Sequence, residues 1–221
     1  MKKILLFCFM LLTMCISGFS QETTITIGTG TSTSYYAPFD NFYKNTWVQT
    51  IYPASQINNA GLITAISFNV SDVPSSAYTF TTLTIYMGTS ADSVNTSTSS
   101  WLPMSDLTEV YSITNLPVPS STGWWTFQLD NPFPYDGVDN LVIVCSKTMP
   151  EYSSSLKFYY TSVTNSCLYR QSDSDVSYAS HPGSNTGTRS TYRPNLQLTM
   201  SASANFSVNC ETVNGSRKMI P

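Results

Sequence analysis

The feature that most constrains this chain is a series of short β-branched and aromatic runs, separated by clusters of Ser, Asn, Asp, Gly and Pro. Such runs are typical of strands and turns. An amphipathic helix would instead place apolar residues at positions i, i+3, i+4 and i+7, and that pattern is almost absent. The sequence predicts about ten strands, at residues 23–27, 46–52, 61–70, 79–87, 107–113, 124–129, 140–146, 156–161, 166–171 and 194–199.

The polarity within these strands predicts the fold class. Residues 83–87 and 125–129 alternate between apolar and polar, as strands with one buried and one solvated face do. Residues 141–144 are apolar throughout, which indicates a strand in the middle of a sheet. We therefore expect an all-β fold in which two antiparallel sheets pack as a jelly-roll-like sandwich. One short helix is expected around residues 91–95.

The N-terminal segment has the pattern of a secretory signal peptide, which we assign to residues 1–20. Two lysines are followed by an apolar stretch at residues 4–16, which is shorter than the about 20 residues that a bilayer span needs. Gly18 and Ser20 supply small residues at the −3 and −1 positions, so we expect cleavage before Gln21. The protein is therefore expected to be secreted or displayed on the outer cell surface.

The mature chain is expected to form one domain. Residues 21–200 suffice for a single well-buried core, and residues 201–221 lose the alternation and are expected to be a tail or truncated linker. No stretch after the signal peptide is long enough for a transmembrane segment. An alternative to cleavage after Ser20 is lipid attachment at Cys15, which would anchor the domain to a membrane surface.

The charge balance excludes one class of partner. Only 10% of the residues are charged, and the formal net charge of −3 becomes −5 once the two signal-peptide lysines are removed. Nucleic-acid binding relies on clustered basic residues that contact phosphates, so we expect no nucleic-acid partner. Ser and Thr instead dominate two long loops, residues 88–105 and 172–191. Loops of this length are usually functional or disordered.

The residues that catalysis commonly uses are scarce. His181 is the only histidine, and no G-x-S-x-G motif occurs, so neither a Ser-His-Asp centre nor a zinc site with regular ligand spacing is expected. A glycoside hydrolase would need only a pair of carboxyl groups. The candidates for such a pair are Asp130, Asp136, Asp139, Asp173, Asp175, Glu109 and Glu151. The sequence favours a protein that is not an enzyme, with a glycosidase as the alternative.

Four of these carboxylates, Asp136, Asp139, Asp173 and Asp175, are also candidate calcium ligands. Carboxylate and carbonyl oxygens in a turn can hold calcium. However, Asp in turns more often caps backbone N–H groups, and the full calcium-loop motif is missing. We therefore expect turn capping, with calcium as the alternative and no other cofactor.

Three cysteines, Cys145, Cys167 and Cys210, remain after cleavage. An odd number in an exported protein leaves at least one free thiol or an intermolecular bridge. Cys145 ends the apolar strand and is expected to pack as a small hydrophobic residue. A disulfide between Cys167 and Cys210 is one of the pairings that remain open.

Aromatic side chains are the main candidates for ligand binding. Alternate residues from Trp125 to Leu129 share the face expected to be the core, which leaves Trp124 facing outward. Trp101 and Tyr178 lie in loop-like segments. The C–H faces of pyranose rings stack on aromatic rings, and neighbouring polar groups bind the hydroxyls. Trp101, Trp124 and Tyr178 are therefore candidates to bind a glycan, whereas the alternative is that they cover the edges of the sandwich.

Several motifs, taken in order, resemble a recurrent module of secreted Bacteroidota proteins. They are residues 41–52 (NFYKNTWVQTIY), 54–57 (ASQI), 83–88 (LTIYMG), 101–103 (WLP), 123–124 (GW), 129–133 (LDNPF), 135–141 (YDGVDNL), 166–169 (SCLY) and 193–195 (RPN). The resemblance covers residues 35–199. Such modules are β-sandwich units that lie beside fibronectin type III domains and C-terminal sorting domains in adhesin-like surface proteins.

The resemblance implies an interaction or accessory role and brings no catalytic residues. Related modules have an acidic segment after the apolar strand, where this chain has residues 145–148 (CSKT), so the groups for an ion site there are missing. Residues 92–94 (DSV) resemble the O-glycosylation signal of that phylum, which makes Ser93 a candidate acceptor. We therefore expect a binding module for a glycan or a host or matrix protein, and neighbouring domains of a larger surface protein are further candidate partners. A structural spacer is the remaining alternative.

Overall fold

The computed structural model describes residues 22–202, 210–213 and 216–219. Its strands are β1 (Glu22–Ile27), β2 (Ser32–Ser34), β3 (Asn45–Tyr52), β4 (Gly61–Asp72), β5 (Thr79–Ser90), β6 (Thr108–Pro117), β7 (Gly123–Tyr135), β8 (Asn140–Thr148), β9 (Lys157–Ser172), β10 (Thr188–Pro194), β11 (Leu196–Ser201), β12 (Cys210–Val213) and β13 (Ser216–Met219). The helical elements are α1 (Ala54–Ile57) and two single-turn 3₁₀ helices, Met104–Asp106 and Val176–Ala179. The expected all-β class is confirmed.

Eleven strands form one curled antiparallel sheet, with the order β1-β11-β4-β9-β3-β8-β5-β6. β7 pairs with β4, whereas β2 and β10 pair with β9. β12 and β13 form a separate two-stranded sheet. β4 therefore has both β7 and β9 as neighbours, and this arrangement positions the candidate site described below.

The main core lies on the inner face of the curled sheet and is organised around Phe39. The Phe39 ring makes edge contacts, with centroid distances of 5.5–5.8 Å, to Phe68, Phe80, Trp125, Phe127 and Phe158. Such edge-to-face pairs are favourable because the positive edge of one ring meets the negative face of another. Phe127 and Leu129 are buried in this core, as the alternation on β7 predicted.

The outer face of β3 and β8 is also buried, so both strands are covered on two sides. Ile51, Val142, Val144 and Leu168 form a second apolar cluster there together with Trp47 and Trp101. Two ordered segments, residues 91–107 and 173–187, cover this cluster, and we call them the loop cover. The central position predicted for the apolar strand β8 is confirmed, because β8 lies between β3 and β5.

Residues 91–95 do not form the expected helix. The Asn140 side-chain amide donates to the carbonyl oxygens of Ser90 and Ala91, at 3.0 and 3.1 Å. The Asn95 backbone N–H donates to the Asn165 carbonyl at 2.8 Å. These backbone groups are therefore satisfied by tertiary hydrogen bonds, which take the place of the hydrogen bonds of a helical turn.

Three strand predictions need correction. The strands expected at residues 156–161 and 166–171 are one strand, β9, and β10 pairs with its residues 160–162 and 167–169, on either side of a polar stretch. β10 itself begins inside the loop expected at residues 172–191. β12 and β13 lie in the segment expected to be a tail, where they pair antiparallel from Cys210 opposite Met219.

The predicted signal peptide and the lipid-attachment candidate Cys15 lie outside the described residues. Within the described part of the chain, no helix is long and apolar enough to cross a membrane.

Candidate functional site

The outer face of β7, β4 and β9 carries a row of three side chains. Trp124 on β7 lies opposite Asn69 on β4. The next residue of β4, Val70, lies opposite Phe158 on β9, which places Tyr159 beside Asn69. Val70 and Phe158 are fully buried, so Asn69 and Tyr159 point to the opposite, outer face together with Trp124. The predicted outward orientation of Trp124 is confirmed, and its side chain is 37% exposed.

These three side chains form a cleft of about 390 Å³, which we call the Trp124 cleft. Its lining consists of Gly28, Thr29, Gly30, Thr31, Asn69, Trp124, Tyr159 and Asn195. No charged side chain lines the cleft. A concave surface with two aromatic rings and a few convergent polar groups is the usual character of a small-molecule site.

The rim at residues 28–31 is held by two hydrogen bonds, to Thr161 on β9 and to Asn195, and a third hydrogen bond joins these two side chains. The Gly30 N–H donates to Thr161 Oγ1 at 3.0 Å, and the Asn195 amide donates to the Gly30 carbonyl at 2.8 Å. Thr161 Oγ1 in turn donates to Asn195 Oδ1 at 2.9 Å. A side chain at Gly30 would clash with the Tyr160 backbone, which explains a glycine at this close approach. These contacts therefore fix the position of the rim as one side of the cleft.

The hydrogen bonds that the described residues make in this region join the rim to β9 through Thr161 and Asn195. The Asn69 amide, the Tyr159 hydroxyl and the Trp124 indole N–H take no part in them. These three polar groups therefore remain available to a ligand, whereas the N–H and carbonyl of Gly30 on the rim are already used in the fold.

Trp101 does not provide the exposed platform that its loop context suggested. Its side chain is only 7% exposed, and its Nε1 donates to the Asn185 carbonyl at 2.7 Å. Gly187 packs so closely against the ring that a Cβ there would lie 2.5 Å from it. Trp101 lines a separate cavity of about 180 Å³ that also includes Gln49 and Asn95. The Trp101 ring packs on the apolar outer face of β3 and β8, because this contact removes apolar surface from water.

Tyr178 is also engaged within the fold. The Arg170 guanidinium lies over its ring, 3.8 Å from the centroid, which is a cation–π contact. One face of the ring is therefore occupied. The cavity at Trp101 and the Trp124 cleft share no lining residue, and neither includes Tyr178, so the three predicted aromatic residues do not converge on one site.

His181 joins the two segments of the loop cover. Its Nε2 lies 2.9 Å from the Leu102 carbonyl oxygen, and its Nδ1 accepts the Gly183 N–H at 3.1 Å. This pattern requires the neutral ring with the proton on Nε2. The ring also meets the edge of Trp47 at a centroid distance of 5.5 Å. Both nitrogens are engaged in structural hydrogen bonds.

The carboxylates that sequence analysis singled out are dispersed and mostly bind backbone N–H groups. Asp136 accepts from Val138, Asp175 from Ser177, Asp173 from Lys44 and Asp130 from Ser112, at 2.9–3.1 Å, while Glu151 pairs with the Lys44 ammonium at 3.2 Å. Asp139 offers its carbonyl to the Tyr135 hydroxyl, and Glu109 offers its carbonyl to Asn131. Among the described residues, no group of three or more His, Cys, Asp or Glu could hold a metal ion.

Cys145 and Cys167 are free, buried thiols. Burial raises the pKa of Cys145 well above its ordinary value and that of Cys167 to about 12, so neither is a reactive thiolate near neutral pH. The pairing of Cys167 with Cys210, one of those that the sequence left open, stays a prediction. Cys167 faces the interior between β3 and β10, where its thiol interacts with Thr50 and Ser190. The Cys210 side chain lies outside the described residues.

Tyr159, Asn69 and the rim were not among the residues predicted from the sequence. Tyr159 did carry a signal, because it follows the core residue Phe158 on a predicted strand and so had to face outward. Its position beside Trp124 depends on the pairing of β4 with both β7 and β9, which no local pattern shows.

No protein-family model matches the chain, and no curated protein matches it either. The resemblance to the Bacteroidota module thus stays a prediction, and the geometry of the Trp124 cleft is the basis of the proposed function.

Proposed function

We propose that this protein is an exported, non-catalytic binding module that recognises a glycan in the Trp124 cleft. The observation that carries the proposal is the exposed Trp124 ring, which lies beside the Asn69 amide and the Tyr159 ring in an uncharged concave surface. Trp and Tyr rings supply stacking area for sugar C–H faces, and an amide can both donate and accept hydrogen bonds to hydroxyls.

Export and surface display belong to the same proposal. They are supported by the signal-peptide pattern of residues 1–20 and by the exposed position of Ser93, the candidate O-glycosylation site. Further domains of a larger surface protein would place the cleft at a distance from the cell, as the adhesin-like resemblance implies.

The finer description of the fold is also a proposal. We infer that the curled sheet is a two-layer, jelly-roll-like sandwich, with β1, β11, β4 and β7 in one layer and β9, β3, β8, β5 and β6 in the other. The inference is supported by the Phe39 cluster, which contacts residues from β4 and β7 on one side and from β5 and β9 on the other.

The test compares Trp124→Ala with Tyr152→Ala in the mature protein. Tyr152 is a matched control because it is 56% exposed and lies outside the cleft. Binding to a panel of immobilised polysaccharides and matrix proteins is measured beside the thermal melting temperature. We expect Trp124→Ala to lose at least about tenfold in glycan affinity, about 1.4 kcal/mol, with an unchanged melt. Unchanged glycan binding, or binding to matrix protein alone, would contradict the proposal.

The glycosidase alternative gains no support from the cleft. The Trp124 cleft has no carboxyl group in its lining, and four further cavities among the described residues have at most one each. Hydrolysis of a glycosidic bond by the usual route needs two, on either side of the scissile bond.

A further inference from the structure

We propose that the ligand of the Trp124 cleft is an uncharged, extended oligosaccharide, with one sugar on Trp124, another on Tyr159 and the Asn69 amide between them. This inference rests on the proposed function and names the class of ligand that the same site would take.

The strand positions of Trp124 and Tyr159 support an extended ligand. Trp124 is on β7 and Tyr159 is on β9, and β4 lies between these strands with Asn69 on the same outer face. Neighbouring strands lie about 4.7–4.9 Å apart, so the two ring-bearing positions are separated by about 9–10 Å. The two rings rise from different strands, so they offer two stacking surfaces. A chain of at least two or three sugars, which crosses the strands, can reach both.

The polar groups fit the middle of such a chain. Asn69 lies between the two rings, and its amide takes no part in the hydrogen bonds of the rim. A hydroxyl or ring oxygen that is held above β4 would meet this amide. Thr29 and Thr31 are exposed on the rim and add hydroxyl groups along the edge of the cleft.

The charges near the cleft support an uncharged ligand. None of the eight lining residues is charged. The nearest charges on these strands are Lys157, two residues before Tyr159, and its register partner Asp72 on β4. Because these two charges are opposite and neighbouring, they give the cleft no net preference for an anionic sugar. A carboxylated sugar would lose hydration and gain no cation in the cleft, which favours a neutral ligand.

The test uses homo-oligomers of glucose, mannose, galactose and xylose, from one to four units, and a uronic-acid oligomer of matched length. Each is titrated into the mature wild-type protein, Trp124→Ala, Tyr159→Ala and the control Tyr152→Ala, with binding followed by calorimetry and by NMR shifts. We expect one neutral series to gain at least about tenfold in affinity from the monomer to the trimer. Tyr159→Ala should remove that gain, whereas Tyr152→Ala should keep both the gain and the monomer affinity of the wild type.

The outcomes separate the two proposals. If Trp124→Ala abolishes binding but chain length has no effect, or if the uronic-acid oligomer binds best, the extended neutral ligand is wrong and the glycan site remains. If Trp124→Ala binds every oligomer as the wild type does, or if no oligomer binds, neutral or charged, both proposals fail. Loss of length dependence in Tyr152→Ala would also overturn the role given to Tyr159.

Discussion

At the scale of single residues, Asp40 is a buried carboxyl group in an environment that disfavours its charged form. It is fully buried at a positive φ of 45°, and neither carboxylate oxygen has a hydrogen-bond partner among the described residues. Burial raises the pKa of Asp40 to about 7, although the charge of Lys147 and the nearby Phe42 N–H act in the opposite direction. Lys147 is buried as well, which lowers its pKa, and its ammonium donates to the Tyr43 carbonyl.

This environment predicts that stability falls as the pH rises from about 4 to 7. In that range unfolded Asp40, with its ordinary pKa of 3.8, loses its proton while the folded carboxyl keeps it, so rising pH favours the unfolded state. The loss reaches at most about 4 kcal/mol by pH 7. Asp40→Asn should remove it. Urea unfolding at several pH values measures the difference from wild type, with Asp92→Asn as the exposed control. A constant difference between Asp40→Asn and wild type would contradict the prediction.

At the scale of elements, Gln49 on β3 is the anchor of the loop cover. Its side-chain amide donates to Asn95 Oδ1 at 2.8 Å and to the Ser100 carbonyl at 3.0 Å. Its Oε1 accepts the Leu102 N–H at 2.8 Å. A single buried amide thus satisfies three groups of the segment 91–107, which fixes Trp101 over the outer face of β3 and β8.

Gln49→Leu changes the volume of the side chain little, but it should loosen the segment 91–107 because it removes these hydrogen bonds. The substitution leaves one donor and two acceptors without partners, and we expect a loss of about 2–4 kcal/mol in the free energy of unfolding. Faster amide exchange at Leu102 should accompany the loss. Gln128→Leu is the control, because Gln128 is exposed on the outer face of β7. Equal stabilities of the two variants would show that the Gln49 hydrogen bonds do not anchor the cover.

The elements also show what sequence could and could not predict. The ends of β3, β4 and β8 lie within two residues of the predicted ends, because their alternation or apolar character is local. The outward position of Trp124 followed from the same alternation. The cleft itself could not be predicted from this alternation, since it requires β4 to pair with strands that are distant in sequence. Burial of Trp101 was foreseeable in part, because a strand that is apolar on both faces needs a cover on each.

At the scale of the whole molecule, the three apolar clusters all draw on residues between Ile25 and Met200. The last of these strands in sequence, β11, lies between β1 and β4 and contributes Leu196, Leu198 and Met200 to the main core. The sheet thus joins its N-terminal and C-terminal strands side by side. Because both ends of residues 22–202 belong to the same core, we expect the folding unit to end just after β11.

A fragment of residues 21–202 should therefore fold on its own, with a melting temperature within about 2–4 °C of the mature chain, a difference of less than about 1 kcal/mol. A shorter fragment, 21–195, loses all of β11, exposes the edges of β1 and β4 and empties part of the main core. Removal of three buried side chains costs about 2–5 kcal/mol each, which is comparable to the total stability of a domain, so the shorter fragment should remain unfolded. Circular dichroism melts of both fragments measure the boundary. A folded 21–195 fragment, or an unfolded 21–202 fragment, would show that the core is not closed by β11.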